Sequence, residues 1–300
     1  IDPAWWASGW AKLIYVLLIL SIIGFIVMQV HHRYRMHQKM LQHIHAEQIN
    51  EAKLQFFINI SHEIRTPMSL IISPLQQLMA KDKDAECRKL YSTIQRNAER
   101  ILQLVNQLMD IRKIDKGQMS LMFKKAEIVS FTRDLLETFE QQTRVKKLDL
   151  KFHTSAPEIE MWIDPKNFDK IILNLLSNAC KFTPENGQVE ISLSTGEDTH
   201  LPQNAPLRRY VELTVADSGI GIASTEREHI FERFYQIRNS QNNSNIGTGI
   251  GLHLTRSLVE LHYGNIHVED NGEGRPGSRF IIRIPLGNGH LKKEEIEEAT

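Results

Sequence analysis

Residues 13–28, LIYVLLILSIIGFIVM, contain no charged side chain. A run of this kind has two stable destinations, a protein core or a lipid bilayer, and so limits everything around it. Taken as residues 11–30, it has about the 20 helical residues that span a hydrocarbon core, and Lys12 at its edge is long enough to snorkel. Trp5, Trp6 and Trp10 precede it as an interfacial belt does, and Arg33, Arg35 and Lys39 follow it. The positive-inside rule then places the chain after residue 30 in the cytoplasm. A cleaved signal peptide would carry its charges before the run and a small-residue cleavage site after it, and neither is present. The expectation is one transmembrane helix over 11–30 in contact with membrane lipid. Residues 1–10 would be an extracytoplasmic remnant too short for a folded sensor, so the chain reads as a piece of a longer protein.

Residues 31–50 are polar and helix-favouring, without Gly or Pro, and are expected to carry the membrane helix onward as a helical linker. Beyond them Phe57, Ile60, Ile64, Met68, Ile71, Leu75 and Leu78 recur in steps of three and four, the spacing of one buried helical stripe. After a charged connection, AKDKDAE, a second series follows: Leu90, Ile94, Asn97, Ile101, Leu104, Leu108 and Ile111. Its steps of four and three have heptad character. Two such helices joined by a short link form an antiparallel hairpin over 51–117. A lone hairpin leaves much of its stripe wet, and pairing with a second copy into a four-helix bundle is the simple remedy.

His62 lies in the first of these helices. At about 100° per residue it sits roughly 160° from both Ile60 and Ile64, so a core-facing stripe turns the imidazole towards water. An exposed imidazole is largely neutral near pH 7, and its free nitrogen is a nucleophile. Glu63 beside it can orient or deprotonate the ring, and Thr66 shares its face four residues on. Pro67 lacks an N–H and clashes with the carbonyl of Glu63, which bends a helix just past the histidine. Helix geometry alone leaves open a surface histidine in a kinked helix.

After Gly117 the pattern changes. Residues 127–141 read as a helix, 148–153 as a strand, and a helix begins near Asp164. QVEISLS and YVELTVAD alternate as strands of a long hairpin, a helix spans 250–262, and NIHVED and SRFIIRIP close the region. Helices alternating with mostly antiparallel strands indicate a two-layer α/β sandwich over 118–288, and 289–300 reads as a solvated polar tail. The fold class is therefore α+β. With 36 basic and 36 acidic side chains, no bulk positive charge favours direct nucleic-acid binding. Two cysteines, Cys87 and Cys180, supply neither a disulfide framework nor metal-ligand spacing.

Three polar clusters lie within that sandwich. Asn174, Asn178 and Lys181 share one helical face; neutral amide oxygens suit a hydrated Mg²⁺ bridging phosphates, and the lysine suits a phosphate. Asp217 ends a strand where a carboxylate can accept from an adenine amino group, and Gly219 and Gly221 let backbone approach a flat ligand. Gly247, Gly249 and Gly251 stand at a helix start, where N–H groups and the helix dipole favour phosphate. Phe231 and Phe234, three apart before a polar stretch, read as anchors of a lid. Each cluster alone also fits a polar helix face, a turn or ordinary core packing.

In order, SHEIRTP, NLLSNACKFTP, DSGIGI, IFERFYQ and GTGIGL resemble the H, N, G1, F and G2 boxes of bacterial sensor histidine kinases over residues 50–288. The resemblance implies a homodimeric phosphotransfer hairpin followed by a Bergerat-type ATP-binding domain, using ATP and Mg²⁺. It implies that His62 is the phospho-acceptor, Glu63 its acid/base partner, and that Thr66 positions water or aids phosphate removal. Asn178 would hold Mg²⁺ with Asn174 beside it, Lys181 would meet phosphate, and Phe182, where the family often has Tyr, would line the site. Asp217, Gly219 and Gly221 would hold adenine; Gly247, Gly249 and Gly251 would close on the phosphates. His253 departs from the small or apolar residue common there. The tryptophan-rich start resembles hybrid two-component sensors, whose kinase continues into a receiver domain; the expected partner is a response-regulator receiver aspartate. Other Bergerat-fold ATPases carry a glutamate base where this chain has Asn174, and lack the hairpin. A non-catalytic dimeric scaffold is the remaining alternative.

Overall fold

A computed structural model describes residues 9–81, 84–203, 205–237, 248–272 and 276–297. The side chains of 9–17, 19, 23, 39, 41–63, 80, 85 and 141–142 lie outside that description. The chain divides into two units, residues 1–63 and 64–300.

Helix α1 runs from Gly9 to Lys81, unbroken through Pro67 and Pro74. The expected continuity of the linker with the His62 helix is met. Leu18, Leu20, Ile22, Phe25, Ile26, Val27, Met28 and Val30 are all exposed, so the first segment is apolar around its whole circumference. Among the described residues, no helix is long and apolar enough to cross a membrane; the expected span over 11–30 falls partly on side chains outside the description. The expected outward turn of His62 and Glu63 likewise falls on undescribed side chains.

In the second unit, the end of α1 and helix α2, Ala85–Asp115, form the stalk hairpin. Asp84 caps α2, accepting from the backbone N–H of Glu86 at 2.8 Å. Arg65 donates to Asn106 across the pair at 2.9 Å. The hairpin buries Leu75, Ala98 and Val105. Part of the apolar stripe expected to be buried is wet: Ile71, Leu78, Leu90, Ile94 and Ile101 are exposed, while Leu75 within it and Ile111 at its end are buried. Two helices can cover only one flank of a heptad seam, so the other flank is left for further helices.

Strand β1 (Lys124–Glu127) pairs antiparallel with β3 (Glu160–Ile163). Helix α3 (Ile128–Glu137) starts at Glu127, whose carboxylate accepts from the N–H groups of Val129 (2.9 Å), Ser130 (2.6 Å) and Ile159 (3.0 Å). The single helix expected over 127–141 is two: it stops at Thr138, whose hydroxyl bonds the Leu135 carbonyl, and α4 resumes over Glu140–Lys146. The main sheet has the order β2-β4-β5-β7-β6, with β2 Asp149–Thr154, β4 Gln188–Glu197, β5 Arg209–Asp217, β6 Asn265–Asp270 and β7 Ser278–Pro285. Only the β2–β4 pair is parallel, as a crossover through helix α5 (Pro165–Phe182) requires. Helix α6 spans Gly251–Leu261.

The core lies between one face of the sheet and the helices. Val189, Ile191, Leu193, Val211, Leu213, Val215, Phe280, Ile282 and Ile284 supply the sheet side; Phe168, Ile171, Ile172, Leu175, Leu176, Leu254 and Leu258 supply the helical side. Each fully buried aliphatic side chain is worth about 1.5–3 kcal/mol. The two-layer expectation holds. The free polar tail does not: Ile296 bridges to Phe123, the Phe123 N–H donates to the Glu295 carbonyl at 2.7 Å, and the Tyr263 hydroxyl donates to the Glu295 carboxylate at 3.0 Å. One carboxylate facing a buried-edge tyrosine anchors a segment whose composition alone reads as solvated.

Candidate functional site

Helix α5 is positioned from both ends. At its start Asp164 accepts from the Asn167 N–H at 3.1 Å, and Pro165 occupies the first turn, where an absent N–H costs nothing. At its end the Lys146 ammonium donates to the carbonyls of Cys180 (2.8 Å), Lys181 (3.1 Å) and Thr183 (3.1 Å). A cation at a helix C-terminus also complements the dipole. Ile172, Leu175 and Leu176 turn into the core, which leaves Asn174, Asn178 and Lys181 half-buried on the other face, as their spacing predicts.

Asn174 faces the start of α6. Its amide N–H donates to the Thr255 hydroxyl at 2.7 Å, and a Cβ on Gly251 would lie 2.4 Å from its Oδ1. A side chain at Gly251 would push the Asn174 amide out of this position, so the glycine lets α6 begin beside it. Gly249 has φ +68°, and a Cβ there would meet the Phe234 backbone at 2.6 Å. The Phe234 N–H donates to the Gly249 carbonyl at 2.9 Å. Gly247 lies outside the described residues.

Asp217 points to the helix side of β5 and is buried. The Ser278 hydroxyl donates to its Oδ2 at 2.5 Å and the Gly219 N–H to its Oδ1 at 2.8 Å. Burial pushes its carboxyl pKa up, against the lowering effect of those two donors. Each oxygen keeps acceptor capacity for a further donor. A Cβ on Gly219 would lie 2.6 Å from the Phe182 carbonyl, so the α5 end and the strand end touch through this glycine. Gly221 has φ +72°. The Lys181 ammonium stands 4.8 Å over the half-exposed Phe182 ring. Burial lowers the Lys181 pKa, and Arg100 of α2 lowers it further. A half-buried ammonium within the field of a second cation is a place that an anion would relieve.

The two phenylalanines part company. Phe231 is buried edge-on to Phe280, with ring centroids 6.4 Å apart, whereas Phe234 is 57% exposed. Only Phe231 anchors the segment; the Phe234 backbone, at φ 62°, is bent outward by its pairing with Gly249. No local sequence signal marks Lys146, Thr255, Ser278 or Arg100, because each meets the site from a segment distant in the chain. A polar cavity of about 400 Å³, lined by Lys151, Glu190, Arg279 and others, opens on the outer face of the sheet and includes none of these residues. Among the described residues no cluster of three His, Cys, Asp or Glu side chains is spaced to hold a metal. A cation at α5 would depend on the amide oxygens of Asn174 and Asn178, which suit a hydrated Mg²⁺ carried with phosphates. The bonds of Asn174 are consistent with that, since its N–H is committed to Thr255 and its oxygen is left to accept.

Residues 52–117 match the family model "His Kinase A (phospho-acceptor) domain". Residues 163–288 match "Histidine kinase-, DNA gyrase B-, and HSP90-like ATPase". The chain is 33% identical, over 99% of its length, to Histidine kinase P4 of Formosa agariphila, and 38% identical, over 79% of its length, to the sensor histidine kinase TmoS of Ectopseudomonas mendocina. It spans 21% and 23% of those relatives' own lengths. The crystal structure of full-length ShkA in complex with AMPPNP is 25% identical, with a TM-score of 0.60, over 78% of this chain and 46% of that one.

Proposed function

The chain belongs to the histidine kinases of two-component systems, and on that premise we propose that it phosphorylates its own His62 from ATP and passes the phosphate to an aspartate of a receiver domain. One observation carries the reading. The polar face of α5, the buried Asp217 carboxylate and the glycine-bracketed start of α6 meet in one place, joined by the close approaches at Gly219 and Gly251.

Asp217 accepts from the adenine amino group, which its buried carboxylate selects by hydrogen bonding. Lys181, with Arg100 adding to the local positive charge, meets the phosphates, and the N-terminus of α6 faces them with free backbone N–H groups. Asn178 and Asn174 would hold Mg²⁺, which would supply positive charge against the phosphates. The His62 nitrogen attacks the γ-phosphorus, forming an N–P bond as the bond to the β-bridging oxygen breaks and ADP leaves; Glu63 takes the imidazole proton. In the second transfer the receiver carboxylate attacks that phosphorus and the imidazole leaves. Thr66, exposed on the helix four residues on, orients water when phosphate is removed. The AMPPNP complex of the structural relative supports the nucleotide class.

The exposed stripe Ile71, Leu78, Leu90, Ile94 and Ile101 supports homodimerisation into a four-helix bundle. The all-round apolar face from Leu18 to Val30, with Arg33, Arg35 and Lys39 beyond it, supports a single-pass anchor in a bacterial inner membrane with the kinase in the cytoplasm. Extraction of the chain from vesicles by alkaline carbonate would remove that anchor from the proposal. The kinase reading is tested by incubating the chain with γ-labelled ATP. Acid-labile, alkali-stable label that is lost in His62→Gln supports it; free phosphate without labelled protein indicates an ATPase, and neither product indicates a scaffold.

A further inference from the structure

His253, the residue at which the sequence departs from its family's pattern, sits in the first turn of α6, half-buried. Both of its ring nitrogens are engaged. The Arg233 Nε–H donates to Nε2 at 2.8 Å, so Nε2 is an acceptor and carries no proton. Nδ1 therefore holds the proton and donates to the Phe231 carbonyl at 3.0 Å. The far side of the same guanidinium donates through Nη2 to Asp115, the last residue of α2. A line of hydrogen bonds thus runs from the foot of the stalk, through Arg233, to the helix that opens the phosphate side of the site. It also joins Phe231 and Arg233 to His253, close to the Phe234–Gly249 backbone bond.

We propose that His253 is a positioning residue that acts through Arg233: it fixes the start of α6 against Phe231 and couples it to Asp115, so that a displacement of α2 is felt at the bound phosphates. The neutral ring is the working form, because a protonated ring cannot accept from Arg233. Burial holds the His253 pKa below the ordinary histidine value, and Arg233 holds it lower, against the raising effects of the Phe231 carbonyl, Asp115 and Glu260. A small or apolar residue at this position would leave Arg233 with Asp115 alone and remove this hydrogen-bonded link between the stalk and α6.

The proposal rests on the kinase reading, and its test separates the two. Autophosphorylation of the whole chain is measured against ATP concentration for the wild type, His253→Leu, His253→Gln, Asp115→Asn and the Asp115→Asn/His253→Leu double variant. A wild type that never becomes labelled counts against the kinase reading. With the wild type active, His253→Leu is expected to raise the KM for ATP about five- to twentyfold. His253→Gln, whose Oε1 reaches about as far as Nε2 and can accept from Arg233, is expected to return it to within twofold of the wild type. Asp115→Asn is expected to raise KM two- to fivefold, and the double variant to be no worse than His253→Leu. Three results would overturn the proposal: a Gln variant as weak as the Leu variant, which indicates packing alone; a KM unmoved by His253→Leu; or a double variant whose defect is the product of the singles. Should His253→Leu fail to fold, the Gln and Asp115→Asn variants still decide the matter.

Discussion

Lys146 is the residue whose loss tests how α5 is held. Its ammonium satisfies three carbonyls at the end of that helix, at 2.8, 3.1 and 3.1 Å. Two of these, on Cys180 and Lys181, belong to the helix itself and have no intrahelical partner. In Lys146→Met the stem still packs, but three acceptors lose a charged donor. A hydrogen bond to a charged group is worth about 1.5–3 kcal/mol, and a cation at a partly buried helix C-terminus up to about 2 kcal/mol. The contributions overlap, since one ammonium makes them all, and water reaches part of the site, so about 2–4 kcal/mol is expected. For a unit of this size that lowers Tm by roughly 4–16 °C. The functional consequence follows from position: the Lys181 side chain and the Phe182 carbonyl behind Gly219 both belong to the freed turn, so the KM for ATP rises as well. Lys146→Arg, which keeps the charge but cannot converge on three oxygens, falls between. Calorimetry and labelled-ATP kinetics on the three proteins suffice. A methionine variant melting within a degree of the wild type with unchanged KM would refute this account of how the site is held.

Asp217→Asn retains the shape and the Ser278 and Gly219 neighbours but removes a buried charge; Tm should be unchanged or higher, while ATP affinity measured by titration calorimetry falls about 10–100-fold. Glu127 behaves oppositely. Burial raises its pKa, but the N–H groups of Ile159, Ser130 and Val129 outweigh that and bring it down from 4.5 to about 2. Its folded form binds protons less readily than the unfolded chain, so its stabilisation is complete above about pH 4.5 and is lost as pH falls towards about 2. Denaturant titrations across that window should show the slope, and Glu127→Gln should flatten it. Ile101→Glu places a charge in the exposed stalk stripe and should yield a monomer by light scattering with little change in the melting of the ATP-binding unit.

Much of the fold is legible because the relevant signals are local and periodic. The β4–β5 hairpin, α5 with its Asp164–Pro165 start, and α6 all follow from alternation, helical spacing and capping chemistry within one stretch of chain. Four-residue β1 and β3 escape because a strand that short has no period to detect, and their pairing joins residues 124 and 163, far apart in sequence. The helix over 127–141 reads as one because the interruption at Thr138 and Phe139 carries no Gly or Pro. At the site, Asn174, Asn178, Lys181 and Asp217 stand out by residue type and spacing. Their supports do not: Lys146, Thr255, Ser278 and Arg233 act only where the chain returns to them. Phe234 is misread for a similar reason, since its outward turn is set by a backbone bond to Gly249, not by its own side chain.

In the proposed reaction the phosphate of ATP ends on one nitrogen of one residue. Site mapping by mass spectrometry at neutral pH, on the intact chain after incubation with ATP and Mg²⁺, tests it most directly. A single phosphorylated peptide containing His62 is expected, missing in His62→Gln and reduced at low ATP when Asp217→Asn is treated in the same way. A phosphate found on any other side chain, or ATP consumed with no phosphopeptide formed, contradicts it.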